Sequence, residues 1–319
     1  MKSLNLTRIV MGIIVIAGLL FFKPLAYFAG AMMIFAGLTG VCFLEKLLSK
    51  VFSSGTSCSI APSTPPNNDL QKMTPEQIKQ AVKGKYSEVA SNPQAKFNFP
   101  VGRKFAESVG YSSELLDKLP GSMWESFTGA GNPQPYIDIK PGEKILDLGC
   151  GAGLDLYLYA QATGSGGKVY GLDISEEMIA KAQRNMETLN VLNAEFLCAA
   201  ADNIPLPDGS VDLVAVNGIY NLSPDKNAVM REVVRVLRPG GRTIFAEIVL
   251  KAPLPQEIRK NINDWFRCIG GALPQNDFLE LLRSAGFSNP RVLCTGRNAR
   301  TGHELALCAV IRAEKGNIR

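Results

Sequence analysis

Three glycines spaced one residue apart, Gly149, Gly151 and Gly153, interrupt the chain between the apolar run 144–148 and the helical pattern LDLYLYAQA. Such a break permits a tight turn and lets backbone N–H groups approach a ligand at the start of the next helix. Twenty residues after Gly153, a second apolar run over 168–172 ends in Asp173. A carboxylate at that place accepts hydrogen bonds from both hydroxyls of a ribose. Loop and acid together describe a nucleotide site. Sulfur is the other reactive element: cysteines stand at 42, 58, 150, 198, 268, 294 and 308, with no CxxC pair and a single histidine, His303. This set has no zinc spacing, so no metal site is expected, and its odd, scattered count suits a reducing compartment.

These residues need a scaffold that brings the ends of two strands together. The coarse order is strand (144–148), helix (154–162), strand (168–172), helix (176–189), strands (194–198 and 211–216), helix (224–237) and strand (242–248). Helices at about 255–267 and 275–285 and strands near 291–295 and 304–312 follow. The alternation predicts an α/β, Rossmann-like, doubly wound and mostly parallel sheet, with ligand at the carboxyl ends of its strands. Upstream, Thr74-Pro75-Glu76-Gln77 is a capping-box signal that opens a helix to about Ala90. We divide the chain into 1–52, a tether 53–72, a helical extension 73–135 and a catalytic domain 136–319.

With 46% hydrophobic and 20% charged residues in 319, the chain can bury a core and is not disordered. Its net charge of +5 is concentrated at the start: residues 1–56 hold five basic residues and one acid, leaving 29 against 28 elsewhere. A nearly neutral body argues against a nucleic-acid partner. Residues 9–22 are wholly apolar, Lys23-Pro24 interrupts, and 25–44 form a second apolar run. Twenty helical residues reach about 30 Å, enough to cross a bilayer core. The flanking Lys2, Arg8, Lys46 and Lys50 outnumber Lys23 in the turn, so we expect a two-helix transmembrane hairpin with the catalytic domain in the cytoplasm. A cleaved signal peptide is the competing reading, and the second full-length run argues against it. Residues 53–72, rich in Ser, Pro, Asn and Gly, read as a tether with a reach of about 25 Å.

The glycine loop alone does not choose between a dinucleotide and S-adenosylmethionine. Its neighbours do: DLGCGAG followed by VYGLDIS, with AADNIPLPDGSVDLV (200–214) and REVVRVLRPGGRTIFAE (231–247), resembles the class I S-adenosylmethionine-dependent methyltransferases. The resemblance implies that the glycine loop, Cys150 and Asp147 lie beside the methionine part of that cofactor. By the same likeness Asp173 and Ile174 meet the ribose, Ala201 and Asp202 border the adenine, and the last strand is antiparallel. Asn217, ending the strand 211–216, would face the transferred methyl as a catalytic and cofactor-binding residue. Ala200 stands where many members carry Asp.

Segments 97–133, 217–242 and 264–287, including the strings NLSPDK and CIGGAL, look like the arsenite methyltransferase family over about 75–315. That family binds trivalent arsenic through cysteine sulfurs and methylates it. Soft thiolates suit a thiophilic acceptor, and in-line attack on a sulfonium methyl needs no general base. Cys268 stands at an arsenic-binding cysteine, whereas the second expected sulfur falls at Gly218. Another sulfur would then come from Cys150, a glutathione-like thiol cosubstrate or Cys58, or the acceptor is another small, lipid-like or quinone-like molecule. A noncatalytic cofactor-binding membrane module is the reading from a different class. Packing readings stand beside these. Cys150 is equally a small residue under the cofactor, and Cys198, Cys294 and Cys308 lie in apolar runs and read as core. On a continuing helix Cys268 shares a face with Trp265. Tyr220, Trp265 and Phe266 either wall the acceptor pocket or pack, and His303 reads as structural.

Overall fold

The short strand β1 (Lys144–Leu148) is buried from its second residue onward, because it lies in the middle of a sheet covered on both faces. Its neighbours are β2 (Lys168–Asp173) and β4 (Val211–Asn217), both parallel to it. β3 (Ala194–Cys198) extends the sheet beyond β2, and β5 (Leu237–Leu250) beyond β4, again in parallel. A two-residue strand β6 (Leu273–Pro274) pairs with the end of β5. β7 (Phe287–Arg297) and β8 (Ala306–Lys315) close the far edge, with β8 antiparallel to both β5 and β7. The order is β3-β2-β1-β4-β5-β8-β7, as expected for a doubly wound sheet with an antiparallel closing strand. The chain leaves β1 toward one edge and returns at β4 toward the other, so the crevice for a ligand opens between the ends of these two strands.

Alternation along the strands feeds two cores. Ile145, Leu213 and Ile244 face the helix α5 (Leu154–Thr163), whose Leu156, Tyr159 and Ala160 are buried against them. Leu146, Val214 and Phe245 face the other side, under Val229 and Val233 of α7 (Lys226–Val236) and Phe278 and Leu282 of α10 (Gln275–Ser284). A third apolar layer joins α1 (Pro75–Ser91) to α9 (Ile262–Phe266) through Ile78, Val82, Val89, Ile262 and Phe266. In α1 the Thr74 hydroxyl accepts from the Gln77 amide at 3.2 Å, and the Gln77 side chain accepts from the Thr74 amide at 2.8 Å. The short helices α2 (Arg103–Ser108), α3 (Ser113–Asp117) and α4 (Gly121–Trp124) follow, and α6 (Glu176–Thr188) crosses between β2 and β3.

The structure, a computed structural model, describes residues 69–316, so the hairpin expected over 1–52 and the tether as far as 68 lie outside the described residues. Among the described residues no helix is long and apolar enough to cross a membrane. Three differences from the sequence reading have local causes. Residues 69–72 are folded, with Leu70 buried and Asp69 bridged to Asn261, so the folded chain starts ahead of residue 73. The helix read over 255–267 is two, α8 (Gln256–Lys260) and α9, because Asn261 is extended and its side chain accepts from the Asn263 amide at 2.9 Å. Cys198 is exposed and Cys294 and Cys308 half-buried, rather than core, because they sit on edge or near-edge strands that are only partly covered.

Candidate active site

The loop after β1 takes the left-handed backbone its glycines allow, with φ of 85° at Gly149, 52° at Gly151 and 91° at Gly153. The amides of Gly149 and Cys150 donate to the Leu172 carbonyl at 2.7 and 2.9 Å, tying the loop to the end of β2. At Gly149 a Cβ would fall inside the Ile219 side chain, so only glycine fits. Asp173 completes this corner: Oδ2 accepts from the Gly151 amide at 3.0 Å and Oδ1 from the Ser175 amide at 2.9 Å. Burial pushes its carboxyl up to about 6, while those amides pull it back.

Two connected lobes open at the strand ends. One, of about 620 Å³, is bordered by Asp173, Ile174, Ala201 and Asp202, with Lys79 and Tyr86 of α1 above them. The other, of about 560 Å³, is bordered by Asp147, Cys150, Gly151, Asp155, Asn217 and Gly218. Gly149, Asp173, Tyr86 and Ile219 line both. The residues assigned to a cofactor are thus brought together, with Gly153 as the exception. It packs against α6, where a Cβ would stand 3.0 Å from the Met186 side chain, so its part is to let helix and loop approach. Asp202 is ion-paired with Lys79, which anchors α1 over the first lobe.

Three carboxylates charge the second lobe. Asp147 is buried and its Oδ2 has no partner; burial drives its carboxyl well up, and Asp155 and Asp173 add to the rise. Asp155, at the start of α5, accepts from the Tyr111 hydroxyl at 2.7 Å, the Gln134 amide at 2.9 Å and the Asn217 amide at 2.9 Å. Burial nonetheless holds its carboxyl above the usual range. A pyrophosphate would be repelled here, whereas a ligand bearing an ammonium or sulfonium relieves the crowded negative charge. The unpartnered Asp147 oxygen and the glycine cradle therefore fit S-adenosylmethionine and disfavour a dinucleotide.

Asn217 does something other than expected. Its Oδ1 accepts from the amides of Ala130 (2.9 Å) and Gly131 (3.2 Å), while Nδ2 donates to the Gly131 carbonyl and Asp155 (both 2.9 Å) and approaches Tyr111 at 3.3 Å. The amide is fully engaged within the protein, so Asn217 is a positioning residue that ties segment 129–131 to Asp155. Tyr111, Gln134 and Asp155 are missing from the sequence reading; only Asp155, an acid in the first turn after the glycine loop, carried a readable signal there.

Cys268 lies in neither lobe. It is fully buried, and the helix ends before it: its φ of +64° departs from the continuing helix that would have stacked it on Trp265. The thiol donates to the Gly218 carbonyl at 3.1 Å. Burial pushes it up to about 11, and the Arg300 guanidinium opposes the rise. A non-glycine residue in the left-handed region is a strained placement, of the kind found at functional positions. Gly218, the place of the absent second sulfur, has φ +79°, and a Cβ there would stand 2.8 Å from the Ala130 amide nitrogen. Cys150 is buried against Gly171, with its thiol driven well up by burial. Tyr220 is a core residue in an edge-to-face trio with Phe245 and Phe278, not a pocket wall.

Behind Cys268 stands a charged set whose Lys226 and Glu247 end quoted strings, NLSPDK and the 231–247 segment, and whose Arg300 no motif announces. Arg300 is buried, donates to the Tyr86 hydroxyl at 2.6 Å and the Phe266 carbonyl at 3.1 Å, and leaves Nε and Nη1 without partners. Buried Glu247 accepts from the Tyr220 amide at 2.7 Å, and burial raises it to about 7. Lys226, brought down to about 8 by burial, lies 4.8 Å from the Trp265 ring centroid. His303 is structural, its Nδ1 accepting from the Leu305 amide at 3.2 Å.

The family described as Methyltransferase domain matches residues 139–286. The arsenic(III) S-adenosylmethionine methyltransferase of Chlamydomonas reinhardtii superposes with a TM-score of 0.52 at 30% identity, over 67% of this chain and 73% of that one. The chain belongs to the S-adenosylmethionine methyltransferases. Within them it is similar to arsenite methyltransferases: that of Halobacterium salinarum is 36% identical over 182 residues, 57% of this chain and 46% of the relative. The demethylmenaquinone methyltransferase of Bacillus mycoides is 39% identical over 112 residues, 35% of this chain and 47% of the relative. The chain spans about half the length of the curated relatives it matches.

Proposed function

We propose that this methyltransferase transfers a methyl group from S-adenosylmethionine to trivalent arsenic held through sulfur at Cys268, with a glutathione-like thiol completing the arsenic's ligands. The observation that carries the reading is the position of Cys268, buried one hydrogen bond behind Gly218, which lines the acidic lobe. When bound, the cofactor supplies an electrophilic sulfonium methyl. The chain's own residues do the rest. Asp173 takes the ribose hydroxyls, Asp147 takes the amino group, and Asn217 holds segment 129–131 and Asp155 in place. Cys268 gives up its bond to the Gly218 carbonyl, and its thiol proton leaves with an arsenic-bound hydroxide as water while the As–S bond forms. Alignment and exclusion of water then account for the acceleration, with no general base.

Residues 9–44 form a membrane hairpin in this reading, and the catalytic domain is cytoplasmic, supported by the apolar runs and the basic residues flanking them. The test is to incubate the full-length protein with arsenite, glutathione and methyl-labelled cofactor. Methylated arsenic is expected from the wild type and none from Cys268→Ser, while intact cofactor uptake without product rejects the acceptor. Fractionation of cells with and without residues 1–52 tests the tether.

A second acceptor is favoured by one observation: Cys268 is sealed from solvent and Gly218 has no room for a partner sulfur. A quinone-like acceptor, as for the demethylmenaquinone methyltransferases, needs neither. Label entering a membrane quinone while arsenite stays unmethylated selects it.

A further inference from the structure

Cys294 and Cys308 belong to a different part of the molecule. Cys294 pairs with Val310 and Gly296 with Cys308 across β7 and β8, which makes the two cysteines diagonal neighbours on one face of an antiparallel ladder. Both thiols are free and half-buried, and both line one open cleft of about 1020 Å³ together with Tyr136, Gly131 and Arg297. Tyr136 lies beside both thiols in this cleft, and their proximity raises its hydroxyl above the ordinary range. Cys308 Sγ stands against the backbone of Gly131, 2.6 Å from where a Cβ would be. Gly131 is the residue that Asn217 grips through both its amide and its carbonyl. One backbone segment therefore separates this dithiol cleft from the methyl pocket.

Diagonal neighbours across a ladder have Cα atoms about 7–8 Å apart. A disulfide cannot bridge Cα atoms more than about 7 Å apart without moving the backbone. One large, thiophilic atom between the sulfurs lengthens the bridge by a bond and suits the wider spacing.

We propose that Cys294 and Cys308 form a docking site for a trivalent arsenical, separate from the methyl pocket and backed by segment 130–131. The identity of the ligand rests on the acceptor reading above. Loading replaces two As–O bonds, or two bonds to monothiol carriers, by two As–S bonds. Each thiol proton leaves with the displaced group as water or free thiol, and arsenic stays trivalent. Burial pushes the Cys308 thiol up to about 12, and this exchange does not require free thiolate to accumulate beforehand. The site supplies the two-sulfur grip that Cys268 alone lacks.

The test uses the reduced full-length protein, phenylarsine oxide as probe and glutathione as competitor, with thiol titration and peptide mass mapping as readouts. The expected result is loss of two thiols per arsenic, with the adduct joining the peptides that carry Cys294 and Cys308. Cys294→Ser and Cys308→Ser should each raise the half-saturating probe concentration about 100-fold or more, the usual order of a chelate gain. Cys268→Ser should leave it unchanged, and unaltered S-adenosylmethionine affinity in all three shows that they are folded. Alanine replacements serve if a serine variant misfolds. An adduct that persists in the Cys294/Cys308 double variant, or that is lost in Cys268→Ser instead, overturns the proposal. Adduct at this pair without arsenite methylation defeats the acceptor reading but not the site; methylation without adduct here defeats the site alone.

Discussion

Restoring a cysteine at 218 is the substitution that likeness to arsenite methyltransferases suggests first, and the backbone there opposes it. Gly218 has φ +79°, where a side chain costs about 1 kcal/mol relative to glycine. Its Cβ would also stand 2.8 Å from the Ala130 nitrogen and 3.2 Å from the Gly129 carbonyl carbon. Segment 129–131 cannot retreat freely, because Asn217 holds the Ala130 and Gly131 amides at 2.9 and 3.2 Å. Overpacking against held backbone adds about 1–3 kcal/mol. Gly218→Cys should therefore lose about 2–4 kcal/mol, a fall in Tm of about 4–16 °C for a domain of this size. Gly218→Ala has the same Cβ without the sulfur and should lose nearly as much, with S-adenosylmethionine affinity weakened in both. Thermal and urea unfolding with cofactor titration measure this. If Gly218→Cys is within about 1 kcal/mol of wild type while Gly218→Ala is not, the thiol is being accommodated and the steric argument is wrong.

Other expectations follow from the same site. Asp173→Asn should weaken S-adenosylmethionine about 10- to 100-fold in calorimetry, the loss of charge-assisted bonds to the ribose. Because burial raises Asp173 to about 6, wild-type affinity should fall as pH drops through 6, and this component should vanish in the variant. For the ligand-free protein the sign reverses: a carboxyl raised from 3.8 to about 6 on folding contributes stability at low pH that is lost as pH rises through that window, so wild-type stability should fall between about pH 4 and 7 on this account, as urea unfolding against pH would show. Asn217→Ala breaks the amide's bonds to segment 129–131 and Asp155 and should cost about 2–3 kcal/mol in urea unfolding, with cofactor affinity falling alongside. Cys268, raised to about 11, should alkylate far more slowly than exposed Cys198 at pH 8, as peptide mapping would show. Lys79→Ala should change affinity less than about fivefold and remove a salt-sensitive part of it, since the Lys79–Asp202 pair is only partly buried.

The frame of the cleft was readable because it depends on local rules. Gly149, Gly151 and Gly153 occupy left-handed positions, Asp173 ends β2, and the Thr74 capping box opens α1, each decided within a few residues of sequence. What could not be read depends on contacts across the fold. Asn217 has the right place at the end of β4, yet its partners Ala130, Gly131 and Asp155 come from elsewhere in the chain. Cys198 and Cys308 sit in equally apolar runs, and only strand order decides that one is exposed and the other faces Gly131. The Arg300–Tyr86 pair spans 214 residues, and no spacing rule reaches so far.

The placement of charge is what joins these parts. Asp147, Asp155 and Asp173 come from β1, α5 and β2; burial makes all three costly to ionise, and at Asp147 the other two carboxylates add to that cost. Positive charge is kept away from that lobe and gathered behind Cys268, where Arg300 and Lys226 both favour its thiolate. On the arsenical reading proposed above, a cationic methyl donor sits on the acidic side, and a sulfur that must lose its proton to bind an acceptor lies on the basic side. Between them the Cys268 thiol donates to the Gly218 carbonyl, a bond that the proposed reading has it release before it takes up an acceptor. That release is the step to which Gly218, Ala130 and Asn217 are jointly tied, so substitutions at these three should couple strongly in double-mutant cycles, whereas Lys79 should add independently.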